Sequence, residues 1–589
     1  MRFVRIFFGL LSVLVGLLVT IVGAAAAFWL VGPDNTVDTG EHQLASKGLA
    51  VMTAPDLLDR HGPTLHVTAK AADGRRPVFV GVGNDLDVAS YLGTSQHTKV
   101  VRLAVPVKLD TQEFEGGLTP LAAPAGLDWW AAKASGNGSQ SIAWPIADGR
   151  YDVVVMNADG KPGTNAQVNL GVELDGAFVT SLLVLGAGLV LLVVGLLLMF
   201  LRRRRPDAPE PLTSYGPPAQ YAPPAYQGQG QGQGQWQGPG QGQGPGQWQG
   251  QGQGQGHGQG PSPVRRVAVV ATAASVLLAA TGCVAVPERN TRRSQSRPAV
   301  TIAGGQAVVK KYNEINNKAN QARDENLSET IEGDPLLSLT RAGFKISRAT
   351  DVSGKHKIKP FTYPKPQIGS PQFSAYPMRF VAASDVSTDK TVRQLGVWQR
   401  QSAGSPWLLT YSVYPSATMK LPSMDGLRLP AKADWGKLST LPKTAAQNLA
   451  QYFTAGVTSR KAAAFVPSPG TTSLLAGRAK SKVADAKLSY ISTVADTFRV
   501  SGEPLTFFTK SGEALVFLAL SEQYLQRITP GSNAYWTRGA VTAFSSQVKY
   551  TQGLTQDYAQ QVALVIPLKG KGKIRILSVD GDLVGAGGY

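Results

Sequence analysis

The side chains able to do chemistry are few and poorly grouped. Cys283 is the one cysteine in 589 residues. That excludes a disulfide framework and any zinc site built on two or more thiolates. His356 is the one histidine beyond residue 300, and it stands in Lys355-His356-Lys357. Neighbouring cations disfavour its charged form, a poor setting for pairing with a carboxylate in a serine–histidine–aspartate relay. No HExxH zinc motif occurs. Asn84, Asp85 and Asp87 bring three oxygen-bearing side chains close together. Calcium takes about six to eight oxygens, so these residues are expected to serve a turn. Gly81-Val82-Gly83 lacks both the third glycine of a dinucleotide loop and the Lys-Ser/Thr pair of a phosphate loop. Trp129, Trp130 and Trp144 suit carbohydrate stacking, an interface or plain core packing. The chain is therefore expected to be non-catalytic, without metal or cofactor.

Three apolar runs must position whatever these residues do. The first, Ile6–Val31, carries no charge and follows Arg2 and Arg5. It exceeds the roughly 7–15 apolar residues of a cleaved signal and is long enough to span a bilayer. The second, Ala177–Leu201, is followed at once by Arg202, Arg203, Arg204 and Arg205. Basic flanks stay in the cytoplasm, which places residues 32–176 outside. The third, Val267–Val286, follows Arg265 and Arg266, so residues 288–589 are expected outside as well. The expected location is the cell membrane, with both globular parts extracytoplasmic.

Arg265-Arg266, then VAVVATAASVLLAA, then Thr281-Gly282-Cys283 resembles a bacterial lipoprotein signal. The resemblance implies that the small residues admit a signal peptidase and that the Cys283 thiol carries diacylglycerol. Ala280 departs from the bulkier aliphatic residue usual at its place. The position in mid-chain leaves three readings open: an uncleaved third span, processing at Cys283, or a fusion of two neighbouring reading frames.

Composition divides the rest. Residues 202–264 form a Pro/Tyr- and then Gln/Gly-rich cytoplasmic linker. It has too little apolar surface to offset the entropy of ordering and is expected to be disordered. Residues 265–287 are the third segment and 288–300 a polar tether. Residues 32–176, between the anchor 1–31 and the helix 177–201, alternate short apolar runs with Asp-Gly turns, which predicts a β-sandwich. Within them VFVGVGNDLDVASYL and WWAAKASGNGSQSIAWPIADGRYDVVVMNADG resemble an uncharacterised actinobacterial membrane-protein ectodomain. That resemblance implies a sandwich beside the membrane and no activity.

Residues 301–589 read as two α+β halves, 301–430 and 431–589. Each opens on an amphipathic helix and continues into strands, the pattern of the cystatin-like or nuclear-transport-factor-like class. YPMRFVAA and VWQRQSAGSPWLL resemble an uncharacterised actinobacterial lipoprotein-like domain. The chain as a whole is thus a multidomain membrane protein with three hydrophobic segments.

Charge is split unevenly. Residues 32–176 hold 11 basic and 17 acidic residues, whereas residues 288–589 hold 39 basic and 20 acidic ones, the whole of the net +19. A basic part outside the cell points to the membrane, anionic lipid or anionic wall polymer as partners, and to contact between the two ectodomains. Nucleic acid is excluded by location and by the lack of interleaved basic and aromatic residues. The leading expectation is a non-catalytic envelope binding or interaction module. The alternatives are a small-ligand-binding lipoprotein, with its pocket between helix and curved sheet, and an extracytoplasmic hydrolase.

Overall fold

The computed structural model describes residues 2–58, 60–104, 108–200, 288–289, 296–355, 358–545 and 548–589. Arg202–Arg205, the linker, the third apolar segment with Arg265, Arg266 and Cys283, and His356 lie outside the described residues. The chain divides into two compact units. One holds the two apolar helices; the other holds residues 36–174 together with the C-terminal part.

In the first unit, helix Arg2–Ala25 continues as a π-helical turn over Ala26–Val31, and the second helix spans Ala177–Phe200. Both are long and apolar enough to cross a membrane. Leu14, Ile21 and Val190 stay exposed on their outer faces, as lipid-facing residues do. Glycines let the two backbones approach. A Cβ at Gly16 would lie 2.6 Å from the amide nitrogen of Leu192, and one at Gly188 would lie 2.5 Å from that of Thr20. Gly9, Gly16 and Gly23 recur every seven residues, as do Gly188 and Gly195, so each set forms one stripe. Ser12 Oγ donates to the Leu191 carbonyl at 2.9 Å, and Arg5 Nε to that of Leu198 at 2.9 Å.

In the second unit, residues 36–174 build two sheets. One is antiparallel, in the order Thr36–Ser46, Thr164–Glu173, Thr64–Ala71, Gln140–Pro145. The other has six strands, in the order Lys108–Phe114, His97–Ala104, Ala50–Thr53, Tyr151–Asn157, Val78–Asn84, Ala132–Gly136. Period-2 alternation gives each sheet an apolar face. Val67, Ala69 and Val168 of the first join Val80, Val82, Val153 and Val155 of the second in one core. Asp85 and Asp87, expected to serve a turn, open the helix Asp85–Leu92, and of the apolar run LDWWAAKA only the end enters a strand, Ala132–Gly136.

The C-terminal part packs two sheets face to face, with helices on their outer faces. The antiparallel sheet Gln367–Gly369, Met378–Val386, Asp389–Arg400, Leu408–Val413 presents Val381, Val397 and Val413 to Phe507, Phe517 and Val565 of the second sheet. That second sheet orders Phe465–Val466, Ile574–Gly588, Gly553–Ile566, Ala514–Ile528, Ile491–Phe508. Helix Ile302–Ala322 contributes Val309 and Tyr312 to a core with Phe380 and Trp398, and helix Pro442–Ala455 contributes Leu449 and Phe453 to another with Phe498 and Leu518. The first helix is capped by Thr301, whose Oγ1 accepts from Gly304 N at 3.0 Å; the second starts with Pro442 in its first turn.

Two further helices, Leu336–Thr350 and Pro469–Asp485, were not predicted. Leu336–Thr350 buries Leu337, Ala342 and Phe344, whereas Pro469–Asp485 buries only Thr471 and Leu475, so the apolar stripe of the latter is thin. The tether predicted over 288–300 is too long at its far end. Arg297–Pro298 pairs with Gln372–Phe373, and Ala299 is buried.

Candidate functional site

The outer face of the six-stranded sheet carries the groups that could bind. Alternation along Val78–Asn84 turns Val80 and Val82 between the sheets and Phe79 to the other side. Gly81 and Gly83 share the side of Phe79, and there they leave room for two indoles. A Cβ at Gly83 would lie 2.6 Å from Trp129 Cζ3, and one at Gly81 would lie 2.9 Å from Trp130 Cε3. Trp129 and Trp130 stack with centroids 4.0 Å apart, and Phe79 lies 4.8 Å from Trp130. Trp130 Nε1 donates to the Pro124 carbonyl at 3.0 Å. Gly81 and Gly83, which match no ligand-binding loop in sequence, are thus a floor for aromatics.

Asn84 ends that strand and caps the helix Asp85–Leu92, its Oδ1 accepting from Leu86 N at 3.1 Å. Asp85 and Asp87 fall in the first turn, where the helix dipole favours anions. Both face cations of the protein itself. Arg150 Nε lies 3.2 Å from Asp85 Oδ2, and Arg297 Nη2 donates to Asp87 Oδ1. Among the described residues no group of three or more His, Cys, Asp or Glu side chains is arranged to hold a metal ion.

The Asp87 pair joins residues 210 positions apart. Asp87 is 1 % exposed, so its charge is costly unless compensated. Tyr376 supplies a second donor, its hydroxyl 2.7 Å from Asp87 Oδ1 and itself accepting from Arg297 Nη2 at 3.2 Å. Burial works against the Arg297 guanidinium, but the Asp87 carboxylate outweighs it and holds the group above its usual pKa. Burial, then the same carboxylate, pushes the Tyr376 hydroxyl up.

A turn of the C-terminal part lies on the indole pair. Ala403, between strands Asp389–Arg400 and Leu408–Val413, is fully buried. Its amide donates to Ser90 Oγ at 3.1 Å, and its carbonyl accepts from Trp129 Nε1 at 3.0 Å. Arg400 Nη2 lies 2.8 Å from Asp128 Oδ1, and its guanidinium sits 5.4 Å from the Trp407 ring centroid.

Beside these contacts runs a cleft of about 830 Å³, lined by Asp87 and Trp129 from one side and by Arg297, Tyr312, Trp398 and Trp407 from the other. Two buried donors of its lining residues, Trp398 Nε1 and Arg297 Nε, have no protein partner. Tyr312 donates to Glu332 Oε1 at 2.8 Å. Burial raises the pKa of both groups, and Glu332 adds to the rise at Tyr312.

A second polar cluster lies in the five-stranded sheet. Glu522 pairs with Arg478 and accepts from Gln560 Nε2 at 2.8 Å, while Lys482 lies 3.6 Å from Asp496. Burial, then Glu522, pushes the Asp496 carboxyl up to about 6. Two carboxyls so placed could exchange a proton, but the Arg478 guanidinium lies over the Tyr558 ring, 4.1 Å from its centroid, and closes the group in.

The other sequence candidates go elsewhere. Trp144 is core, 4.7 Å from Tyr151. Arg2 opens the first helix. Tyr376 lies in YPMRFVAA, and Trp398 and Arg400 in VWQRQSAGSPWLL, yet no role shows there: Arg297 and Tyr376 meet Asp87, and Arg400 meets Asp128, more than 200 positions away. No curated protein and no solved structure matches the chain. Residues 296–588, which supply Arg297, Tyr376, Trp398 and Ala403, match the family model described as Domain of unknown function (DUF8094), so this part of the chain is similar to that family.

Proposed function

We propose that this chain is a membrane-anchored, non-catalytic binding module of the cell envelope. Both globular parts lie outside the cytoplasm, and the cleft beside Trp129 receives a small organic ligand bearing acceptor oxygens. The observation that carries this reading is the cleft of about 830 Å³, lined by the rings of Trp129 and Trp407 and by the guanidinium-bearing Arg297 and Arg400. A volume of that order suits a small-molecule site. The basic flanks of the apolar runs support the topology. The shared core of the two sheets supports a sandwich for residues 32–176, and the repeated helix-on-sheet order supports two cystatin-like or nuclear-transport-factor-like halves. The contacts of Asp87 with Arg297 and of Asp128 with Arg400 support an association of the two ectodomains that completes the site.

The test compares the full chain with variants that fill the cleft from its exposed rim, Thr330→Trp and Ala307→Trp. Each is purified in lipid nanodiscs and denatured, and the released small molecules are identified by mass spectrometry. A species present with the native chain and depleted at least fivefold in both variants supports the reading. Identical small-molecule content in all three removes it.

A further inference from the structure

We propose that the cavity between the two sheets of residues 36–174 binds one hydrocarbon chain of a membrane phospholipid. The cavity measures about 390 Å³ and is lined almost wholly by aliphatic side chains, among them Leu44, Leu58, Val100, Val153 and Val172. It is separate from the cleft beside Trp129 and shares no lining residue with it.

Three observations lead to this occupant. First, protein interiors are close-packed, with few voids larger than a water molecule. A void of this size forfeits the dispersion contacts of every residue around it. The same two sheets pack closely elsewhere, with Val67, Ala69, Val80 and Val82 fully buried. Second, the lining offers a ligand no charge. Its two hydroxyl side chains face the backbone instead: Thr53 Oγ1 accepts from Val153 N at 2.9 Å and Thr39 Oγ1 from Leu170 N at 3.2 Å. Water gains little there, since it needs two to four polar partners. A polar ligand or a headgroup gains no more, whereas a methylene chain meets its own kind. Third, the lining draws on Thr39 and Leu44 of one edge strand, Thr36–Ser46, and on Leu109 of another, Lys108–Phe114. The cavity therefore lies where the two sheets part at their edges, a place a flexible chain can enter.

The source follows from the sequence. Leu170 and Val172 line the cavity, and three residues separate the end of their strand at Glu173 from the apolar helix that starts at Ala177. Three residues of extended chain reach about 10 Å. The hydrophobe most abundant so near a span is the lipid around it.

The test reconstitutes the full chain in nanodiscs containing phosphatidylglycerol with a photoactivatable diazirine on its acyl chain. After irradiation, labelled peptides are mapped by mass spectrometry. Labels are expected on the lining strands, around Leu44, Val153 and Val172, as well as on the two apolar helices. Val153→Phe and Leu57→Phe fill the cavity from a strand and from its neighbouring turn. Each should cut labelling of the lining strands at least fivefold while labelling of the helix Ala177–Phe200 stays constant, which reports that the variant chain is inserted. Labels confined to the helices overturn the proposal, and so does strand labelling that neither variant reduces. Thr330→Trp, which fills the other cleft, should leave strand labelling unchanged, so failure of one reading leaves the other standing.

Discussion

The indole N–H of Trp129 donates to the carbonyl oxygen of Ala403, 3.0 Å away and 274 residues later in the chain. Trp129 reaches that oxygen because Gly83 leaves no Cβ beneath its ring. Ala403 meets it because the turn is fixed from both sides, by Ser90 at its amide and by the pairing of Arg400 with Asp128 just before it. A strand glycine, a helix serine and a hairpin turn thus place one wall of the cleft.

The Asp87, Arg297 and Tyr376 cluster should behave as a unit. Asp87→Leu alone leaves the Arg297 guanidinium without its anion, and Arg297→Met alone leaves a buried carboxylate. Each should cost about 3–5 kcal/mol, and the double variant should cost markedly less than the sum. Denaturant unfolding followed by tryptophan fluorescence measures all three. Strict additivity would show that the pair does not couple the two segments.

Asp152 sets a pH dependence. It is fully buried on the strand next to Gly83, and burial, with Asp85 as the second cause, pushes its carboxyl up to about 8. The folded pKa exceeds the unfolded one, so between about pH 4 and 8 the folded state holds a proton that the unfolded chain has lost. Stability therefore falls as pH rises through that window. Asp152→Asn should flatten the fall and stabilise the protein at pH 8.5 on the order of 3 kcal/mol. Melting curves from pH 5 to 9 read the difference, and a variant whose profile parallels the wild type refutes the assignment.

The glycine stripe of the apolar helices should govern their pairing. Gly16→Leu places a side chain where the Leu192 amide nitrogen would be 2.6 Å from its Cβ, and Gly188→Leu does the same against Thr20. Either should separate the helices and lose most of the disulfide yield between cysteines engineered at Ser12 and Leu191, whose side chain and carbonyl lie 2.9 Å apart. Leu14→Ala on the exposed face should leave that yield intact. Equal yields in the glycine variants and the control would remove the role assigned to the stripe.

Cys283 tests the lipoprotein resemblance. If its thiol carries lipid, metabolic labelling with an alkyne fatty acid should mark the wild type and miss Cys283→Ala. An unlabelled wild-type chain of full length favours the uncleaved third span.

Much of the architecture is legible in composition and periodicity. Uncharged runs of bilayer length with arginine flanks locate the helices Arg2–Ala25 and Ala177–Phe200, because the cost of charge in hydrocarbon is a local property of the chain. Alternating strands such as Tyr151–Asn157 and Met378–Val386 are legible for a similar reason, since one buried face leaves its mark every second residue. The helix Pro469–Asp485, with its thin stripe, leaves too weak a periodic mark.

The site follows a different rule. Gly81-Val82-Gly83 fits no phosphate or dinucleotide loop and Asp85 and Asp87 read as turn residues, and nothing near them in sequence says that two indoles lie on the glycines or that Arg297 answers Asp87. Local hydrophobicity and charge act over a few residues and survive in the string of letters. A hydrogen bond from Trp129 to Ala403, a cleft between Trp129 and Trp398 and a void between two sheets depend on which distant surfaces meet. That choice is made by packing complementarity over the whole unit, which no short window of sequence contains.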